Sequence, residues 1–345
     1  MRRGAALPIL WQKRDISFRR QRRNGISVVF LLRGEGGRAR AERHSVSADN
    51  NDHVPRPRER RRNLVIVRAG DSSLHPMWLD GAADRSWDLL VSYFGADPEQ
   101  YRRGDVIRVD SKGPKWPALR ALIESHWDYI AQYEYIWLPD DDIACGVRDI
   151  DSIFSLSRDY RLHLSQPALS LDSHFSWIVT LRNPLLRVRF TNFVEIMVPC
   201  FERDFLARCL PYMSETLSGW GLDHLWPTML QPGQMAIIDA APVTHTRPLG
   251  GANYGFLKDR GITAQQECDE FRRAHAIGKT IIRTDAIETR GGRKYDHGSA
   301  RMSALLRWGY GYALARAYVV RSTNRQSIRK QVFNAIASPA EFVDW

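Results

Sequence analysis

This sequence predicts an α/β fold: a mostly parallel sheet flanked by helices on both faces, with a helical C-terminal extension. Three observations carry that expectation. Short, continuously apolar runs recur through the middle of the chain, turn residues follow them, and stretches of helical spacing lie between them. A strand exposed on one face would alternate apolar and polar residues, so unbroken runs suit strands covered on both sides. Strands alternating with helices favour a parallel sheet.

Residues 1–62 mix arginine clusters (Arg19-Arg20, Arg22-Arg23, Arg60-Arg61-Arg62) with Gly, Asn and Pro, and are expected to be disordered. Order is expected from Asn63, where Leu64-Val-Ile-Val67 reads as a buried strand and Ala69-Gly-Asp-Ser-Ser73 as the turn after it. Further strands are expected at Leu89–Phe94, Val106–Val109, Tyr135–Leu138, Trp177–Thr180, Phe193–Met197 and Ala236–Asp239. The clearest helix is Lys115–Ile130, with Leu119, Leu122, Ile123, Trp127 and Ile130 on one face and Pro117 near its start. A second follows Phe201, and a third runs from Trp220 to about Leu230. From about Gly261 the chain turns helix-rich, and Ala300–Val320 carries an amphipathic face. Packing onto the main domain is favoured there over a membrane-surface helix. The expected divisions are 1–62, a catalytic domain over 63–260, and the extension over 261–345.

The chain has 345 residues, 43% of them apolar, with eleven Trp, which is ample for a substantial core. Its net charge of +11 lies entirely in residues 1–62; the remainder is balanced, with 33 cations and 33 acids. A balanced body argues against nucleic acid as the partner, and an arginine-rich tail without interleaved aromatics offers little specificity. The four cysteines (Cys145, Cys200, Cys209, Cys268) lack metal-ligand spacing and read as reduced, packed thiols. No run approaches the ~20 apolar residues of a membrane span. Ile26–Leu32 is too short for one and lacks a signal-peptide cleavage site, so a cytoplasmic location is expected, with peripheral membrane contact left open.

The most informative stretch is Tyr133-Glu-Tyr-Ile-Trp-Leu-Pro-Asp-Asp-Asp-Ile143. Carboxylates crowded at a strand end repel unless a cation or proton holds them. In extended chain, Asp140 and Asp142 point the same way and can converge on one oxygen-loving ion, Mn²⁺ or Mg²⁺, with positions left for phosphate oxygens. A solvated acidic loop is the plain alternative. Four further features stand beside it. The loop Arg68-Ala-Gly70-Asp71 follows the first strand, where α/β sheets bind ligands. It lacks GxGxxG, which argues against an ordinary dinucleotide site, and it reads equally as a glycine turn. Lys115 opens a helix, a position suited to phosphate, or is an ordinary surface lysine. Gly219-Trp220-Gly221 precedes a helix carrying Asp223, either a general base or a helix-capping acid. His245 lies after an apolar strand, free to reach a metal or diphosphate, or merely a loop histidine. Glu195, in an apolar run, is a substrate contact or a paired structural acid, since a lone buried carboxylate is costly.

Taken in order, Asn63–Asp71, Ser73-Leu-His75, Trp78, Asp140–Asp142, Ser165–Leu169, Val194–Pro199 with Phe201, Gly219–Asp223 and the strand leading to His245 resemble the DUF707 family, grouped with GT-A-type glycosyltransferases, over about residues 63–255. The resemblance implies a GT-A-like, Rossmann-like domain and transfer from a nucleotide-sugar donor to a sugar or glycan acceptor. By it, Asp140, Asp142 and His245 would hold the metal; Arg68, Gly70, Asp71, Lys115 and Asp141 would lie on the donor side. Gly219, Trp220, Gly221 and Glu195 would face the acceptor, with Asp223 the catalytic base. His224 stands where many inverting members carry the second acid of a Glu-Asp pair, which leaves the stereochemical outcome open. The rivals are a phosphoryl-transfer enzyme using the same acids, a non-catalytic sugar- or nucleotide-binding protein of this fold, and a nucleic-acid binder acting through residues 1–62.

Overall fold

The structure is a computed structural model that describes residues 60–102, 106–248, 253–278 and 281–317, the short stretches 27–29 and 43–45, and 331, 333–335 and 337–343. The chain divides into two units, 1–47 and 48–345. In the first, β1 (Ser27–Val29) and β2 (Arg43–Ser45) pair antiparallel. The expectation of disorder over 1–62 otherwise falls mostly outside the described residues.

The second unit is a mixed α/β layer structure. Its elements in chain order are β3 (Asn63–Ala69), β4 (Trp87–Tyr93), β5 (Ile107–Asp110), α1 (Lys115–Ser125), α2 (Trp127–Ile130), β6 (Tyr135–Trp137), β7 (Ile143–Ala144) and α3 (Val147–Asp159). There follow β8 (Leu164–Leu169), β9 (Leu186–Thr191), β10 (Cys200–Glu202), α4 (Arg203–Cys209), α5 (Leu222–Leu225), β11 (Met235–His245), α6 (Asn253–Asp259) and α7 (Ala264–Ala274). Last come β12 (Ile281–Thr289), β13 (Lys294–Asp296), α8 (Ala300–Ala317) and β14 (Glu341–Val343). The sheet order is β13-β12-β9-β11-β8-β10-β6-β3-β4-β5. β3, β4, β5 and β6 are mutually parallel, and so are β8 and β11. β10 runs antiparallel between the two groups, so both groups point the same way and present their carboxyl ends on one edge.

β3 shows why its run is apolar at every position. Leu64 and Ile66 pack with Leu119, Leu122 and Ile123 of α1 and Phe205 of α4. Val65 and Val67 face the other way, into a cluster with Ile150, Ile153 and Phe154 of α3. Both faces are covered, as a two-sided pattern requires.

Two expected strands are not strands. Ile178–Thr180 forms a 3₁₀ turn, closed locally by Thr180 N–H donating to Trp177 O at 3.1 Å. Phe193–Met197 joins no ladder; its carbonyls serve side chains and a loop instead, Ile196 O accepting from Lys115 Nζ at 3.1 Å and Met197 O from Asp140 N–H at 2.9 Å. Conversely, β9 (Leu-Arg-Val-Arg-Phe-Thr) hides a strand behind two arginines. Arg189 is fully buried, with Nε 2.7 Å from Asp239 Oδ2 and Nη2 2.9 Å from Oδ1. Two further N–H groups donate to Val179 O and Leu181 O. The segment after Gly261 supplies α7 and α8 as expected, and also β12, which pairs with β9 inside the sheet. The inward positions of β12 (Ile282, Thr284, Ile287) are spaced around a register shift, so no regular alternation marks it as a strand.

Removing one member of a fully buried ion pair strands the other. Asp239→Ala should therefore cost about 3–5 kcal/mol, read as a lower urea midpoint, with an effect far exceeding Arg203→Ala at the exposed Arg203–Asp204 pair.

Candidate active site

β6 delivers the three acids to the carboxyl edge of the sheet, and β7 pairs antiparallel with the end of β11 so that His245 stands opposite Ile143. Thr246 N–H and Oγ1 both donate to Asp142 O, at 3.1 and 2.9 Å, closing that juncture. Asp140, Asp142 and His245 each offer a ligand atom within 4.8 Å of the others. The His245 imidazole is oriented from behind: Nδ1 donates to His174 O at 2.9 Å, which turns Nε2 toward Asp142 Oδ2 at 3.1 Å. A carbonyl behind the ring is the usual way a metal-ligating histidine is held.

The charges here are closely packed. Burial raises the Asp140 carboxyl above its ordinary range, opposed by Lys115 and reinforced by Asp142. Lys115 Nζ sits 2.5 Å from Asp140 Oδ1. Burial likewise raises Asp141, against the Gly70 N–H and Arg247. Burial alone would lower His245, but Asp142 and Asp140 outweigh it and raise the imidazole. The imidazole Nε2 thus lies where it can face either Asp142 or an ion shared with it. Asp142 Oδ1 is buried without a hydrogen-bond partner. An orphaned carboxylate oxygen beside a second carboxylate and an imidazole fits a divalent ion, and the nitrogen donor suits Mn²⁺ at least as well as Mg²⁺.

Asp141 faces the opposite way. Its Oδ2 accepts from Gly70 N–H at 2.9 Å and its Oδ1 pairs with Arg247 at 3.2 Å, while Arg247 also reaches Ser72. This ties the loop after β3 to the loop after β11. Arg68 is buried, donating to Ser92 Oγ, Ser111 O and Gly113 O, so it braces the loop leading into α1. Burial lowers its guanidinium to about 10. Asp71 is exposed and caps the turn after β4 through Ala96 N–H at 3.1 Å and the Tyr93 hydroxyl.

The glycine loop is held against the start of α1. Gly219 and Gly221 have φ of +89° and +102°, and a Cβ on Gly219 would lie 2.0 Å from Trp116 Nε1. These glycines serve backbone conformation and close packing. Trp220 is half-buried against a small cluster of Leu217, Leu257 and Ala264. Glu267 of α7 anchors the loop, accepting from Thr216 Oγ1, Leu217 N–H, Ser218 N–H and Ser218 Oγ at 2.9, 2.7, 3.0 and 2.5 Å. Asp223 is buried, with Oδ1 accepting from Gly221 N–H at 3.2 Å and lying 4.0 Å from His224 Nε2.

Glu195 stands beside this assembly, one residue before the carbonyl that Lys115 grips. Gln166 Oε1 accepts its backbone N–H at 2.6 Å, while its own Oε2 is buried without a partner. Burial first, then the Asp223 carboxylate, push its carboxyl up to about 7, against His245 and a hydrogen bond with Ser176. Sequence reading missed Arg247, Gln166, His174 and Glu267. Arg247, two residues past His245, and Gln166, polar on an apolar strand, were visible signals. Glu267 and the His174 carbonyl act through contacts that no local pattern encodes.

Residues 105–192 match the family model described as "Protein of unknown function (DUF707)", so the resemblance drawn from the motifs is present in that segment. No curated protein matches the sequence. Solved structures similar to the chain include GalNAc-T7 with UDP, GalNAc and Mn²⁺, at 9% identity, TM-score 0.41, and coverage of 62% of this chain and 51% of that one. S. aureus TarS 1-349 is similar at 11% identity, TM-score 0.37, with 53% and 59% covered. The chain thus spans between half and two thirds of the solved structures it matches.

A buried acid titrating near 7, against an ordinary 4.5, withdraws stability as pH rises through that interval, because the unfolded chain releases the proton sooner. Glu195→Gln should therefore be close to neutral at pH 4.5 and stabilising by a few kcal/mol at pH 7 to 8, measured by urea titration across pH. A variant equally stable or weaker than the parent at pH 8 would show that its partners Ser176 and His245 outweigh the cost of burial.

Proposed function

We propose that this protein is a metal-dependent glycosyltransferase, moving a sugar from a nucleotide-sugar donor to an acceptor hydroxyl. The single observation that carries the reading is the convergence of Asp140, Asp142 and His245, with one carboxylate oxygen left orphaned, at the carboxyl edge of the sheet. Those three side chains would hold Mn²⁺ or Mg²⁺. The ion's chemistry is Lewis-acid stabilisation of the leaving diphosphate.

The donor side is formed by the loops that Asp141 and Arg68 brace. Gly70 and Asp71 shape the turn after β3, and Lys115 brings a positive charge from the first turn of α1, where a phosphate is favoured. On the acceptor side lie Gly219, Trp220 and Gly221, with two buried carboxylates available. Asp223 is held in direction by Gly221 N–H, as a base receiving the acceptor hydroxyl's proton must be. Glu195, high in proton affinity and adjacent in charge, is assigned to binding the acceptor. Four buried free cysteines among the described residues support a reducing, cytoplasmic setting. No helix among them is long and apolar enough to cross a membrane.

The reading is tested by thermal shift with UDP, GDP, ADP and CMP, each with and without Mn²⁺. One nucleotide should raise the melting temperature only when metal is present; at a hundredfold excess over its Kd the gain is about 2.7 kcal/mol. The Asp140→Ala/Asp142→Ala variant should fold and lose that response, whereas an unchanged response would remove the metal site from the proposal. With the donor so identified, Asp223→Asn should keep binding and lose turnover by roughly two orders of magnitude or more.

A further inference from the structure

Away from the site, α8 carries a surface with chemistry of its own. From Ala300 to Ala340 the sequence holds six arginines and one lysine and no Asp or Glu. The helix docks by one face: Met302, Leu306, Tyr310 and Ala313 are buried, at helical spacing. Gly309 lets it approach so closely that a Cβ there would lie 2.1 Å from Asn183 Nδ2, which donates to Leu305 O. The opposite face shows Trp308, 48% exposed, its ring lying parallel to that of Tyr312 with centroids 5.3 Å apart. Arg301, Arg307 and Arg316 are exposed on the same helix.

Neighbouring elements extend this surface in kind. Arg290 N–H donates to Leu185 O at 3.1 Å, bringing the turn after β12 to the loop against which α8 packs. Leu185 is itself 36% exposed. Arg182 lies within reach of both Tyr312 and Arg290; burial and then the like charge of Arg290 lower its guanidinium, against Asp239, Tyr312 and Asp149. Cations gathered closely enough to repel are relieved by an anionic partner. The two acids on β12 are already engaged: Glu288 is buried and pairs with Lys294 at 3.6 Å, and Asp285 pairs with Arg283 at 2.5 Å.

We propose that this face, centred on Trp308 and Tyr312 and rimmed by Arg301, Arg316 and Arg290, docks onto an anionic phospholipid surface. Arginines bind lipid phosphates, and indole and phenol rings settle at the headgroup level with an apolar body and a polar tip. A basic surface is drawn to an anionic leaflet more strongly the more cations it brings near the headgroups. Nucleic acid is served less well, because Trp308 and Tyr312 cover one face of each other's rings and leave less surface for base stacking. A protein partner of ordinary composition would be met by mixed charge, which α8 lacks. Gln331 Nε2 donates to Ser176 O at 2.9 Å and its Oε1 accepts from Ile178 N–H at 2.8 Å. The inference stands on surface chemistry alone and does not depend on the transferase reading.

The test uses the full chain and sedimentation with two vesicle types, pure phosphatidylcholine and phosphatidylcholine with about 30 mol% phosphatidylglycerol. The parent should bind the anionic vesicles and leave the neutral ones. Trp308→Ala/Tyr312→Ala and Arg301→Glu/Arg316→Glu should each weaken binding about tenfold or more, with melting curves unchanged because these side chains lie on the outer face. Brominated lipids should quench the parent's fluorescence more than that of Trp308→Phe, which separates docking by α8 from docking by the arginine-rich residues 1–62. The proposal is overturned if both double variants bind as the parent does, if Trp308→Phe is quenched equally, or if a single-stranded oligonucleotide displaces the vesicles and loses its own binding in the same variants.

Discussion

Everything at the carboxyl edge of the sheet answers to one constraint: three consecutive carboxylates are taken largely out of water at the end of a buried strand. Left alone, such a cluster would take up protons or open the fold. Each acid instead has its own answer. Asp140 meets Lys115, Asp141 meets Gly70 N–H and Arg247, and Asp142 meets His245. These partners come from α1, from the loop after β3 and from the end of β11, so meeting the charge also ties three chain-distant segments together. The same ties form the walls of the site. Chemistry and architecture share one electrostatic problem, and the orphaned Asp142 oxygen is the part that protein groups leave unsolved.

The second buried charge arrangement works to a different end. Arg189 and Asp239 are bidentate, and two further guanidinium N–H groups meet the carbonyls of Val179 and Leu181. With both carboxylate oxygens and all three guanidinium nitrogens engaged, this pair behaves as core. Asp140 to Asp142 with His245, and Glu195 beside them, are incompletely satisfied. That contrast distinguishes a site from a scaffold better than the count of acids does, because desolvated groups without partners are retained at a cost that structure alone does not repay.

Reading the sequence captured the elements whose logic is local. β3 and β6 show it in their continuous apolar runs, α1 in its spacing, and Asp140 and Asp142 in their two-residue interval. It misplaced Phe193–Met197, which is as apolar as a strand, because the carbonyls of Ile196 and Met197 had better partners in Lys115 Nζ and Asp140 N–H than any ladder offered. β9 escaped it because a buried arginine looks like an exposed one until its aspartate, 50 residues away, is in view. Glu267 was opaque for a related reason: the groups it holds lie about 50 residues distant in the chain.

What the sequence determined by itself was an α/β class, a strand ending in aspartates two apart, and a basic excess confined to residues 1–62, because each depends on neighbours within a few positions. Tertiary structure alone decided that His245 Nε2 stands 3.1 Å from Asp142 Oδ2, that Asp141 binds two loops through Gly70 N–H and Arg247, and that Glu195 Oε2 is buried without a hydrogen bond. The reason is that coordination and desolvation are properties of a volume, and only the folded chain brings β6, β11 and the 193–197 segment into the same one.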